Sequence, residues 1–231
     1  MFLTVDGSRF AFDRQTPAFL NGVNQAWLQY GNDFGNNQSH GHFCALKETL
    51  VNTSRSGGHA MRIWLHVEGD KTPLWNDDGY VVGTDAAGSL IGEMRAYLRA
   101  ATEVDVLVFF VLWNGAVLRN AKTKRLFSSA PRLQSYVDKV LKPMAASLAT
   151  EPALGGWEIM NEPEGSVAAG MRDDEPCFDT MALAGTGAGW AQPTDPIPMQ
   201  QLLAFVGVQA AAIHEVSPGA LVTIGSWSEH R

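Results

Sequence analysis

The segment Gly156-Trp157-Glu158-Ile159-Met160 is closed by Asn161-Glu162-Pro163. An acid at the end of an apolar run is placed for general acid–base work, because partial burial and a neighbouring carboxylate raise its pKa toward the working range. Similar polar endings recur along the chain. Asn24, Trp27 and Tyr30 follow one apolar run, Arg62, Trp64 and His66 lie on and after a second, and Trp113 and Asn114 end a third. Glu164 comes just past Glu162, and Ser226, Trp227 and Glu229 end the last run. Carboxylate, amide, guanidinium and indole together suit a neutral polyhydroxylated ligand, whose hydroxyls the amides bond and whose C–H faces the indoles cover. Any one of these indoles can equally belong to the core. Strand alternation gives Glu158 the same inward parity as Glu162, which offers Arg62 an ion-pair partner.

Other constellations carry less. His40-Gly41-His42-Phe43-Cys44 has metal-ligand residue types, but its spacing matches no zinc pattern, so these read as solvated loop residues and no metal is expected. The acidic stretch Arg172-Asp173-Asp174-Glu175 reads as a solvated face. Asn37-Gln38-Ser39 and Asn52-Thr53-Ser54 are glycosylation sequons, which matter only for an exported protein. Cys44 and Cys177 are placed in loops after the first and fourth apolar runs, with their pairing open. The glycines between 185 and 189 follow no strand and read as a connection, not as a phosphate cradle.

The elements that must position the polar groups alternate. Strand-like runs lie at 19–24, 59–65, 106–113, 156–161 and 220–227. A helix is predicted after Ser129, which is placed as its N-cap, with Pro131 in the first turn and Leu133, Tyr136, Val137, Val140, Leu141 and Met144 on one face. A second is predicted from Met199 to before Ser217-Pro218-Gly219, and weaker ones around Leu46 and around Met94. Asp6-Gly7 predicts the turn of an N-terminal hairpin. Strands apolar throughout, separated by amphipathic helices, describe a parallel α/β sheet buried on both faces. With no Gly-x-Gly-x-x-Gly after a strand, a (β/α)8 TIM barrel is preferred over an open doubly wound sheet. A barrel needs eight units and typically about 250 residues, so the expectation is an incomplete barrel of about five βα units. Residues 1–231 are read as a single catalytic domain truncated at its C-terminus.

The 231 residues hold 17 Lys and Arg against 24 Asp and Glu, a formal net charge of −7, which argues against nucleic acid or an anionic membrane as partner. At 45% hydrophobic and 18% charged residues the chain is not a disordered tail. Its apolar runs are far shorter than the roughly 20 residues of a membrane span. The residues after Met1 lack the basic and apolar regions of a signal peptide.

Asn161-Glu162-Pro163 at a strand end, with Arg62 two strands earlier, resembles the retaining glycosidases of glycoside hydrolase family 5. Four further motifs sharpen the likeness: Phe-Leu-Asn-Gly-Val-Asn-Gln-Ala-Trp from Phe19, Arg-Ile-Trp-Leu-His from Arg62, Leu-Trp-Asn-Gly from Leu112, and Val-Thr-Ile-Gly-Ser-Trp-Ser-Glu from Val222. They look like the endo-β-1,4-mannanases of invertebrate animals within that family. The resemblance implies that Glu162 is the general acid/base, that Asn161 bonds the sugar's 2-hydroxyl and that Arg62 holds the nucleophile ionised. It also implies that Asn24, Trp27, Trp64, His66, Trp113, Asn114 and Trp227 bind substrate. A secreted monomer acting on β-mannan is expected, with no cofactor, no nucleic-acid partner and no membrane. The alternatives are an endo-β-1,4-glucanase, or an inactive or merely sugar-binding product.

The family's nucleophile follows a seventh strand, and no residue here fills that role. A retaining pair needs carboxyl groups about 5–5.5 Å apart. Glu158 is placed roughly 13 Å below Glu162 at about 3.3 Å per residue. Glu68, Asp70 and Glu164 are placed in loops with no strand to fix them, and Glu229 beyond the fifth strand. The 231 residues alone are therefore expected to lack glycosidase activity.

Overall fold

The computed structural model describes residues 2–13, 15–116, 118–184 and 195–226. The chain opens with a three-stranded antiparallel sheet of β1 (Leu3–Asp6), β2 (Arg9–Phe12) and β3 (Thr16–Pro17). The predicted hairpin is present, but its turn is Gly7-Ser8, because Asp6 pairs with Arg9. Only Gly7 takes a positive φ, +59°, which puts glycine at the first central position of the turn.

The parallel sheet then begins. Its first units are β4 (Gly22–Asn24), α1 (Ser39–Arg55), β5 (Ala60–Val67), a ribbon of β6 (Leu74–Trp75) and β7 (Val81–Gly83), α2 (Leu90–Thr102) and β8 (Leu107–Asn114). There follow α3 (Ala121–Ser128), α4 (Ala130–Tyr136), a π-helical turn (Val137–Leu141), α5 (Lys142–Leu148), β9 (Leu154–Asn161), α6 (Met199–Val216) and β10 (Val222–Thr223). The sheet runs β4-β5-β8-β9-β10, every neighbouring pair parallel and in chain order. Sequential parallel strands with intervening helices form the arc of a (β/α)8 barrel, five strands of it among the described residues.

The apolar runs predicted as strands all pair, because residues such as Met61, Ile63, Val108, Phe110, Trp157 and Ile159 are fully buried against the helices. Helix faces meet them with Leu46 and Leu50 from α1, Met94 and Tyr97 from α2, and Phe205 and Ile213 from α6, in one continuous core. The helix after Ser129 is present with an irregularity. Lys142 N–H reaches the carbonyl of Val137, five residues back, at the turn that precedes Pro143. Proline has no N–H to give and its ring crowds the preceding turn, so the helix widens there. Ser129 occupies the N-cap without capping through its side chain; its hydroxyl accepts from Arg132 Nη1 at 3.3 Å instead.

Three further elements correct the sequence reading. His40, His42 and Cys44 lie on the first turns of α1 and not in a loop, with His42 Nε2 3.3 Å from the buried Asp33 Oδ1. Helix α3, absent from the sequence reading, buries Leu126 and Phe127 and is started by Asn120, whose Oδ1 accepts from Lys122 and Thr123 N–H at 2.8 and 3.3 Å. The β6–β7 ribbon, between β5 and α2, is an element to which the sequence reading assigns nothing. Cys44 and Cys177 are free and exposed, and residues 172–175 are exposed. The glycines 185–189 lie outside the described residues. No described helix is long and apolar enough to cross a membrane.

Candidate active site

The C-terminal ends of β5, β8 and β9 break the two-residue alternation of side chains. Trp64, Val67 and Val111 form a small cluster with Ala26 on the inner face of the arc. Between them, Leu65, Leu112 and Trp113 belong to the core under the helices, as do Ile159 and Met160 of β9. Residues 64–67, 111–114 and 158–161 thus each run inward, outward, outward, inward. In β5 the break is a bulge between Trp64 and Val67, with Val67 at φ +55°. β8 and β9 turn together, since Val111, Trp113 and Asn114 stay paired with Glu158, Met160 and Asn161. A bulge at a strand end re-aims side chains, here returning Val67 to the inner face, while Asn114 and Asn161 reach it through the matched turn of β8 and β9.

Arg62 is the hub of that face. Its Nε and Nη2 donate to the two oxygens of Glu158 at 2.8 and 2.6 Å, the bidentate fork that fits guanidinium to carboxylate. The expected Arg62–Glu158 ion pair is therefore present, with side-chain exposures of 24% and 7%. Nη2 also donates to Asn161 Oδ1 at 2.8 Å and Nη1 to Asn24 Oδ1 at 3.0 Å. Glu158 and Asn161, three residues apart, thus share a guanidinium, a spacing that plain alternation would put on opposite faces. With both oxygens held by Arg62, Glu158 is a structural anion and not a free nucleophile. The pair also requires Gly225: a Cβ there would lie 2.3 Å from Glu158 Oε1 and 3.4 Å from Arg62 Nη2.

The amides continue outward from this hub. Asn161 Nδ2 donates to Asn114 Oδ1 at 3.1 Å, and Asn114 Nδ2 donates to Glu68 Oε1 at 2.8 Å. Tyr30 O–H donates to the same Glu68 oxygen. Burial, then that bond, pushes the Tyr30 phenol above its ordinary pKa, so it remains a donor at neutral pH. Tyr30 meets Trp27 edge-on at 4.8 Å, and Trp27 lies against Trp64 at 5.0 Å. Arg62 Cζ sits 5.7 Å from the Trp64 ring. The loop carrying Trp27 and Tyr30 is tied by Asp33, whose oxygens accept Leu28 and Gln29 N–H at 2.8 Å each. Burial raises the Asp33 pKa, and those two amides oppose the rise.

Glu162 follows Asn161 in a left-handed conformation, φ 47° and ψ 58°, an uncommon backbone for a residue with a side chain. The conformation is clamped on both sides. Glu162 N–H donates to Gly225 O at 3.0 Å, Gly225 N–H donates to Met160 O at 2.9 Å, and Gly165 N–H returns to Glu162 O at 3.1 Å. Glu164 accepts from the Ser226 hydroxyl.

Two predicted ligand-facing residues are on the wrong side of the sheet. His66 and Trp113 are 1% and 0% exposed, stacked on each other at 4.9 Å and packed on Tyr136 under the helices. Trp113 Nε1 donates to Gln209 Oε1 of α6 at 2.9 Å, and His66 Nδ1 lies 2.8 Å from Thr72 Oγ1. Burial pushes the His66 pKa down to about 3, so the ring is neutral. The outward pair at each strand end is what turns them away. Asn24, Trp27, Trp64, Asn114 and Asn161 do gather around Arg62, while Trp227 and Glu229 lie outside the described residues. Glu68, discounted as a loop acid, is only 8% exposed and joins the network. Its place one residue past the bulge is the signal that alternation hides.

Polar side chains gathered on the C-terminal ends of sequential parallel strands are the site arrangement of (β/α)8 barrels. No protein-family model matches the chain. Two mannan endo-1,4-β-mannosidases are similar to it over 228 residues: one from Mytilus edulis at 47% identity, covering 98% of this chain and 61% of its own, and one from Cryptopygus antarcticus at 41%, covering 99% and 59%. The chain thus spans about three fifths of the length of the curated relatives it matches. The crystal structure of an endo-1,4-β-mannanase from Eisenia fetida is 45% identical, with a TM-score of 0.93 over 99% of this chain and 62% of that one.

Proposed function

We propose that this chain belongs to a secreted, monomeric family 5 glycosidase that cleaves internal β-1,4-mannosidic bonds with retention. The observation that carries the reading is the convergence of Arg62, Asn24 and Asn161 directly beside Glu162, at a strand end clamped by Gly225. Glu162 protonates the departing glycosidic oxygen and afterwards takes a proton from the water that releases the sugar. Asn161 has one N–H engaged by Asn114 and its oxygen engaged by Arg62, so its other N–H is the group left for a sugar hydroxyl. Trp27, exposed and backed by Trp64, offers an apolar face for a pyranose ring. The nucleophile would come from the share of the relatives' length that this chain does not cover.

The test uses the full-length protein with galactomannan, glucomannan and carboxymethylcellulose. Hydrolysis of the mannans is expected, with Glu162→Gln lowering it by about 10²–10⁴ while an activated aryl mannoside, whose leaving group needs no proton, still glycosylates the enzyme. Cleavage of the cellulose derivative alone would make it a glucanase. Sugar binding without turnover would make it a binding protein.

A further inference from the structure

We propose that Glu68 is a positioning residue that locks the amide pair and the aromatic shelf of the site into one arrangement, an inference that rests on the role given above to Asn161. The polarity of the network carries it. Arg62 can only donate, and Glu68 Oε1 accepts from both its neighbours, Asn114 and Tyr30. Between those ends stand two asparagine amides, each of which presents a donor on one side and an acceptor on the other. With Arg62 on Asn161 Oδ1 and Glu68 on Asn114 Nδ2, neither amide can turn over without setting donor against donor. Ala116 N–H adds a second hold on Asn114 Oδ1 at 3.2 Å.

Glu68 is itself fixed. Its backbone carbonyl accepts from Thr123 Oγ1 of α3 at 2.7 Å, and its side chain is buried between Tyr30 of the β4–α1 connection and Asn114 at the end of β8. A buried acceptor serving two donors, one from a connection and one from a strand end, is costly to bury unless both bonds are made. Removing it leaves the Tyr30 hydroxyl without its acceptor and the Asn114 N–H with only its longer bond to the Tyr30 oxygen, at 3.4 Å. The two arms touch only through that long bond and lead to different places, the Asn114 arm to Asn161 and the Tyr30 arm to Trp27.

Kinetics of the full-length protein on galactomannan separate the arms. Asn114→Ala should lower kcat roughly tenfold to a hundredfold, the loss expected when a buried group is left unpaired. Tyr30→Phe should act mainly on KM, and Glu68→Leu should do both. Glu68→Gln, which keeps an acceptor oxygen, should recover most of the loss. In the Asn114→Ala background Glu68→Leu should add no further fall in kcat; an additive fall, or wild-type kinetics for Glu68→Leu in the native background, overturns the proposal. Should Glu68→Leu not fold, the contrast between Asn114→Ala and Tyr30→Phe decides, and a common effect on kcat and KM in both overturns it. Side-chain amide resonances of Asn114 and Asn161, read without substrate, should shift in Glu68→Leu and hold in Glu68→Gln. That readout stands if the protein hydrolyses no mannan, so failure of the enzymatic reading is distinguishable from failure of this one.

Discussion

The two faces of β5, β8 and β9 hold similar residue types and use them in opposite ways. On the inner face, Arg62, Asn114 and Asn161 are joined by hydrogen bonds that still leave donors for a ligand. On the outer face, His66 and Trp113 have the same credentials as sugar-binding residues, yet they are closed off by Tyr136, Phe205 and Gln209. The phase of the strand decides between the two outcomes, and residue type does not. Three measurements on the full-length protein break or sharpen that contrast.

The largest effect is expected at Trp113. Trp113→Ala empties a fully buried site and strips Gln209 of its donor, which costs about 3–5 kcal/mol of unfolding free energy. At a temperature where the variant stays folded, its KM for galactomannan should be near that of the parent. A large rise in KM with unchanged denaturant midpoint would return Trp113 to the ligand side.

Arg62→Met comes next. It leaves Glu158 buried and unpaired, at a cost of about 3 kcal/mol. Adding Glu158→Met should restore most of the stability, because a well-packed apolar pair avoids the desolvation that the ions suffer, while activity stays lost because Asn161 has no donor to orient it. Recovery of turnover in the double variant would show that Arg62 serves the fold alone.

His66 gives the smallest effect and the clearest sign. Its folded pKa of about 3 lies below the ordinary 6.5, so as pH falls through 6.5 the unfolded chain takes up a proton that the folded chain refuses. Stability on this account is fully present above pH 6.5 and declines below it, by about 2 kcal/mol between pH 7 and pH 5. His66→Phe should flatten that part of the pH dependence. An unchanged slope in urea unfolding at pH 5 and pH 7 would mean that His66 is reached by water.

These contrasts also mark what the sequence discloses. The alternation of apolar runs and helical patterns places the strands and α6, most clearly β5, β8 and β9, whose burial on both faces leaves an unmistakable composition. The Arg62–Glu158 pair follows from charge and strand order. What stays hidden is the doubled outward step at 64–67, 111–114 and 158–161. A reader assuming period two assigns His66 and Trp113 to the ligand, sets Glu158 and Asn161 on opposite faces, and dismisses Glu68 as unsupported. The π turn at Val137–Leu141 and helix α3 escape for a related reason: a single proline and a single asparagine act through the backbone, not through a pattern.

The order of the sheet has a consequence in time. Each strand of the five-stranded sheet lies beside the strand of that sheet made before it, so a chain emerging from the ribosome can extend the sheet one unit at a time. Arg62, Glu68, Asn114 and Asn161 can all find their partners by the end of β9. Glu162 cannot, because the carbonyl that holds its amide belongs to Gly225, roughly 60 residues later, a delay of a few seconds at about 5–20 residues per second. Glu162 is the last of these groups to be set during synthesis, beside a polar face that is already assembled.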